Sequence, residues 1–147
     1  MNLSDLLSKG LVEKFQSDPA QVKNEMEIAK NDLSSAKKML TIEEWGWAHN
    51  AAYDVMLQAG RALMFSKGYR PKSSEHHIAV VSFAEAVYSA KFPSEVLQAF
   101  GRARLRRSES MYERAGSISE NQGKNLVDKA EIFVGKAKDI LKKRVEL

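Results

Sequence analysis

Five arginines crowd one short stretch of this 147-residue chain: Arg102, Arg104, Arg106, Arg107 and Arg114, within RARLRRSESMYER. A guanidinium stays charged at any working pH and grips a phosphate through two parallel N–H bonds. So many like charges at close quarters repel unless something anionic answers them. Tyr112 stands five positions after Arg107 and adds a polar ring to the same stretch. The residues allow two accounts. In one, the stretch is a solvated helix face, with Arg106 or Arg107 paired to Glu109, Glu113 or a carboxylate on a neighbouring helix. In the other, it is an anion site that takes phosphate.

Other chemistries find little footing. The only histidines are His49, His76 and His77. Adjacent helical residues point about 100° apart, so His76 and His77 do not readily share one ion. No HExxH or paired-carboxylate spacing accompanies them, and no metal is expected. They read as solvated or capping residues near a helix start, or as one ring facing an RNA groove. There is no Walker A loop, no GxGxxG after a strand and no GxSxG elbow. With no cysteine, disulfides and thiolate chemistry are absent. No organic cofactor is expected.

The net charge is +4 and the pI about 9.3. That permits an RNA or phosphate partner without requiring one. The tail is also basic, with Lys136, Lys138, Lys142, Lys143 and Arg144 against Asp139. Cations at a helix end commonly just offset the helix dipole. No apolar run approaches the roughly 20 residues of a membrane span. The opening MNLSDLLSKG has Asp5 ahead of its lysine and no small-residue cleavage site, so no secretory leader is expected. A cytoplasmic protein of one domain is the simplest expectation.

The elements that must carry the arginines read as helices throughout, with no period-2 strand segment. Leu3, Leu6, Leu7 and Leu11 suggest a short amphipathic helix broken near Gly10. Asp18-Pro19 supplies an N-cap followed by proline at the first helical position. Val22, Met26, Ala29, Leu33, Ala36 and Leu40 then form one apolar stripe, with lysines on the other faces, so this helix is expected on the outside. Thr41 and Glu44 match a capping box for a helix that ends at Gly68. That helix is apolar on two sides, along Trp45-Ala48-Ala52-Val55-Ala59-Leu63 and Tyr53-Leu57-Gly60-Met64, and is expected at the centre. Residues 68–72 read as a loop, with Ser73 or Ser74 capping the next helix. Pro93 opens a helix through Arg114 that Gly116 stops. Ser119 and Gln122 form a second capping box, and Leu126, Ala130, Phe133, Ala137 and Ile140 line the last helix. Four long helices on short loops predict an all-α, up-down antiparallel bundle of four to five helices.

In this order of features the chain resembles HEPN-domain proteins, most closely the stand-alone prokaryotic branch. The resemblance rests on LLSKGLVEKF, AKNDLSSAKKML, WAHNAAYDVMLQAGRALMFSKGYRPKSSEHHIAVVSF and RRSESMY, which together cover most of residues 1–147. AYDVMLQAGRALMFSKGYRPK is its most specific segment. The resemblance implies a single helical domain that commonly dimerises. It also implies a motif on the fourth long helix, an Arg followed after four to six residues by His. In active members both subunits contribute that pair, which cleaves RNA without metal. Here the best match is Arg107 with Tyr112, so tyrosine replaces the motif's histidine; Arg102 and Arg106 are lesser alternatives. Tyr112 is a poor base at neutral pH, since phenol titrates near 10, whereas Arg107 still suits a pentavalent phosphate. Arg102, Arg104, Arg106 and His77 are further candidates for RNA or phosphate contacts. Small family members often act as the toxin partner of a minimal nucleotidyltransferase antitoxin. Some are silenced by modification of a tyrosine two places after the motif histidine; here Arg114 holds that place. Positions five apart on a regular helix diverge by about 140°, so Arg107 and Tyr112 are expected to meet only through a kink or across a dimer.

Overall fold

A computed structural model describes residues 1–72, 74–112 and 118–145, with the backbone alone described at 108–112 and 144–145. Among these residues the chain forms α1 (Leu3–Ser8), β1 (Val12–Lys14), α2 (Pro19–Thr41), α3 (Trp45–Lys67), β2 (Tyr69–Pro71), α4 (His76–Tyr88), α5 (Ser94–Tyr112) and α6 (Glu120–Val145). The fold is an all-α bundle with one small antiparallel sheet.

Helix α3 is the axis, packed against α2, α4, α5 and α6. Its two apolar stripes explain this: Ala48, Ala52, Val55, Ala59 and Leu63 are buried on one, Tyr53, Leu57 and Met64 on the other. Helix α2 buries only Met26, Ala29 and Ala36 and lies outside, as its single stripe requires. Asp18 caps α2, ahead of Pro19: its side chain accepts from the Ala20 N–H and its own N–H donates to Gln21 Oε1. Ser119 and Gln122 do the same for α6. Gly68 ends α3 in the left-handed conformation, φ 86°.

Three local expectations give way. The Thr41 capping box does not form: α2 continues through Thr41, whose hydroxyl donates back to the Lys38 carbonyl at 2.6 Å. Helix α3 starts instead at Trp45, after Glu43 takes φ 60°, with no side-chain cap at Glu44. Residues 69–71 are not simply loop but pair with residues 12–14, in register Val12↔Pro71, Glu13↔Arg70, Lys14↔Tyr69. Arg70 binds Glu13 at 2.8 Å across that pair and lies over the Phe15 ring. Strands of three residues are too short to show alternation. Helix α4 begins at His76 after Glu75, without a side-chain cap from Ser74; Ser73 lies outside the described residues, as do Arg114 and the stop at Gly116.

The β2 segment has a topological consequence. It carries the chain back along α3, so the first turn of α4 meets the middle of α3 rather than its end. His77 thereby reaches Tyr53, and Val80 reaches Gly60. At Gly60 the approach is so close that a Cβ would lie 2.5 Å from the Val80 Cγ1. An aromatic chain joins the remaining helices behind this contact. Phe92 stacks on Phe133 at 4.5 Å, Phe133 meets Phe100 at 5.4 Å, and Phe100 meets Tyr53 at 5.9 Å.

Candidate functional site

Helices α2, α3, α4 and α5 enclose an open cleft of about 310 Å³. Asp32 enters it from α2, Asp54 and Arg61 from α3, His76 and His77 from α4, and Arg107 from α5. Asp54 and Arg61 are seven residues apart, two turns along one face of α3. Arg61 is tethered toward α2 by Glu25 at 3.7 Å. Two larger grooves lie along α6, but their polar lining is mostly lysine and includes neither arginine nor histidine.

Arg107 reaches across from α5 and donates through Nη1 to Asp54 Oδ1 at 2.5 Å. Its guanidinium also stands 5.5 Å from the centre of the Tyr53 ring. A carboxylate on a neighbouring helix therefore answers this arginine, as the solvated-face account required. Unlike that account, the pair is part-buried and sits in a concave site.

Tyr53 is fully buried against Phe100, and its hydroxyl meets His77 Nδ1 at 3.0 Å. Burial pushes the Tyr53 phenol well above its ordinary value, although Arg104 and Arg107 pull the other way. It is therefore a neutral phenol at any working pH. His77 is pushed the opposite way. Burial and then the charges of Arg107, His76, Arg104 and Arg61 lower its pKa, favouring neutral imidazole. The two acids of the cleft are both raised. Burial does this to Asp54 and outweighs Arg107; burial and the neighbouring Asp54 charge do it to Asp32.

The structure thus gathers Arg107 and His77 in one cleft, with Arg104 close enough for its charge to act on both Tyr53 and His77. It does not gather Arg102, which is exposed on α5. Arg106 lies toward His49, which is fully buried on α3. Burial and Arg106 press the His49 pKa down to about 4; a contact with the Asn50 side chain raises it and Arg107 lowers it further. Tyr112 closes α5 and its side chain lies outside the described residues. Because α5 is helical from Ser94 to Tyr112, positions 107 and 112 stand about 140° apart around it if regular. Sequence reasoning missed Asp54, Tyr53, Arg61 and Asp32. Asp54 and Arg61 did leave a signal, as the only charged residues of α3 before Lys67. A charge in a helix apolar on two sides needs a partner. Among the described residues, no three His, Asp or Glu side chains converge as metal ligands. No helix among them is long and apolar enough to cross a membrane.

An all-helical bundle built on a central helix, with an arginine-bearing helix closing a polar cleft, defines the class. The HEPN domain family matches residues 22–140, and the chain belongs to that family. Among solved structures, the crystal structure of TT1696 from Thermus thermophilus is similar. Its TM-score is 0.64 at 16% identity, over 81% of this chain and 97% of that one. At that identity the likeness concerns fold alone. No curated protein matches the sequence.

Proposed function

We propose that this HEPN domain, one unit over residues 1–147, binds RNA in the cytoplasm through the phosphate backbone, at the cleft of Arg107. It acts as a homodimer of ribonuclease-toxin descent and uses neither metal nor organic cofactor. Arg107 is the phosphate ligand. Arg104 and His77 flank it, while Arg102 and Arg106 add charge along α5. The observation that carries this reading is the convergence of Arg107 and His77, from different helices, on one open cleft. An arginine needed only for stability has no reason to share a concave surface with a second cationic-capable ring. Asp54 serves here to hold the guanidinium in place until phosphate competes for it.

The test is fluorescence anisotropy with a labelled single-stranded RNA in EDTA. Affinity is expected to fall steeply with salt as counterions are released. Arg107→Ala should weaken it by about 10- to 100-fold, since a hydrogen bond to a charged group contributes about 1.5–3 kcal/mol. Unchanged affinity in a folded Arg107→Ala protein overturns the reading.

A separate observation favours a second reading, a non-catalytic interaction module for a nucleotidyltransferase partner. Leu105 is 56% exposed on α5 and Arg102 is exposed three residues before it. A mixed apolar and cationic helix face suits an acidic protein surface. Co-purification lost in a Leu105→Glu protein supports this reading; failure of any such partner to co-purify opposes it.

A further inference from the structure

We propose that Trp47 is a stacking platform for a nucleobase of the strand whose phosphate lies on Arg107, which makes the domain a reader of unpaired RNA. This rests on the phosphate-binding reading and adds to it a second subsite and a strand preference. Trp47 is 64% exposed at the start of α3. Tryptophan is highly buried on average, so an indole this open is an unusual feature of a surface. Trp45, two residues earlier, shows the ordinary arrangement. It is part-buried, with its backbone close against Gly123 of α6 and the Lys124 ammonium 5.6 Å from its ring centre.

Helical periodicity puts Trp47 in line with the cleft. Trp47, Ala51, Asp54, Gln58 and Arg61 recur along α3 at spacings of four, three, four and three, which is one face of the helix. Asp54, Gln58 and Arg61 of that row line the cleft, and Asp54 holds the Arg107 guanidinium. Trp47 stands seven residues before Asp54, about 10 Å along the axis and about 20° around it. Ala51, between them, ends at its Cβ, so the row stays low from the indole to the cleft. Phosphates of one duplex strand advance about 3.4 Å per nucleotide, and an extended strand covers more. The indole is therefore within about three nucleotides of a phosphate on Arg107.

The chemistry at that end of the row selects the base rather than the backbone. Glu43 and Glu44 stand just ahead of α3, both exposed, and repel phosphate. Stacking uses the uncharged face of a base, and every base has one, so the subsite is tolerant of sequence. It is not tolerant of strand form. Inside a duplex both faces of a base are covered by its neighbours. Only an unpaired base, in a single strand, a loop or an end, can lie on Trp47.

The experiment compares strands and variants of the full chain in EDTA by fluorescence anisotropy. The probes are a labelled single-stranded RNA, its duplex, and a strand of the same length with abasic ribose at every position. Wild type should hold the single strand with bases more tightly than either of the others. Trp47→Ala should weaken binding of that strand at least about fivefold, the share of one stacked base. Its affinity for the abasic strand should stay within about twofold of wild type. Trp47→Phe should keep most of the affinity, since a phenyl ring also stacks. Binding should quench tryptophan emission in wild type but not in Trp47→Phe, which retains Trp45 alone. Three results overturn the stacking and leave the phosphate site standing: Trp47→Ala binds the RNA like wild type, it loses the abasic strand equally, or wild type holds the duplex as tightly as the single strand. A dimer that falls apart in Trp47→Ala, read by light scattering, assigns the indole to a contact between copies and overturns it too. Wild type with no affinity for any RNA overturns both readings. Circular dichroism confirms that each variant is folded; truncating a side chain this exposed opens no core cavity.

Discussion

Tyr53 and His77, twenty-four positions apart in sequence, meet through the phenol oxygen and Nδ1 at 3.0 Å, with ring centres 5.5 Å apart. One ring belongs wholly to the core and the other to the cleft, so the contact couples packing to chemistry. Tyr53→Phe deletes the hydroxyl but keeps the ring against Phe100. Stability should drop by about 1 kcal/mol, the net worth of one such bond. RNA affinity should fall about two- to threefold, because a loosened His77 ring beside Arg107 is misplaced rather than lost. Fluorescence anisotropy reads the affinity and urea unfolding the stability. Unchanged affinity beside the lost stability contradicts a positioning role for Tyr53.

Asp54 and Arg107 give opposite expectations for substitution of each partner. Removing the carboxylate charge in Asp54→Asn leaves the amide oxygen to hold the guanidinium and takes away phosphate's competitor. RNA affinity should rise by a few-fold, on the order of 1 kcal/mol for a part-exposed charge. In a purely structural ion pair, both Asp54→Asn and Arg107→Ala lower stability and neither alters RNA affinity. Anisotropy and urea unfolding on the same two proteins distinguish these cases.

The contrast between these contacts shows what a sequence carries. Helix periodicity placed α3 at the centre and α2 outside, because stripe width follows directly from how many neighbours a helix has. Asp18-Pro19 and the Ser119–Gln122 box marked helix starts, because capping is local. Thr41 misled for a related reason: its hydroxyl is as able to bond back into the helix behind it as to open the next one. The sheet and the His77–Tyr53 contact both depend on the return of the chain along α3. No spacing rule expresses a return path. Arg107 was legible by charge density alone, whereas its partner Asp54 needed the question of why a doubly apolar helix holds a carboxylate.

Gly60 sets the distance between α3 and α4, and through it the place of His77. A methyl there meets Val80, whose branched side chain has little freedom to move. Overpacking typically costs about 1–3 kcal/mol, against about 1 kcal/mol gained from alanine's helix propensity. Gly60→Ala should therefore lose up to about 2 kcal/mol in urea unfolding and weaken RNA binding by displacing His77. Gly60→Ala combined with Val80→Ala should recover the affinity if helix separation is the cause. Affinity that stays low in the double variant, with stability regained, excludes that cause.

His49 makes the protein sensitive to acid in a defined window. Its pKa is about 4 when folded, against an ordinary value of 6.5. Below pH 6.5 the unfolded chain takes up a proton that the folded chain refuses until about pH 4. Stability therefore falls as pH drops through that interval, by on the order of 2 kcal/mol at pH 4.5. Glu25, Asp32 and Asp54, raised by burial, act in the opposite sense, since the folded state binds their protons more readily. A single substitution isolates the histidine. His49→Leu keeps an apolar side chain of similar reach under Arg106 and has no proton to gain. Its unfolding free energy should lie within about 1 kcal/mol of wild type at pH 7, because neither ring nitrogen of His49 has a well-aligned hydrogen bond among the described residues. At pH 4.5 it should exceed wild type by on the order of 2 kcal/mol. Urea midpoints at the two pH values decide the matter: parallel losses in both proteins mean that His49 is not the group that titrates.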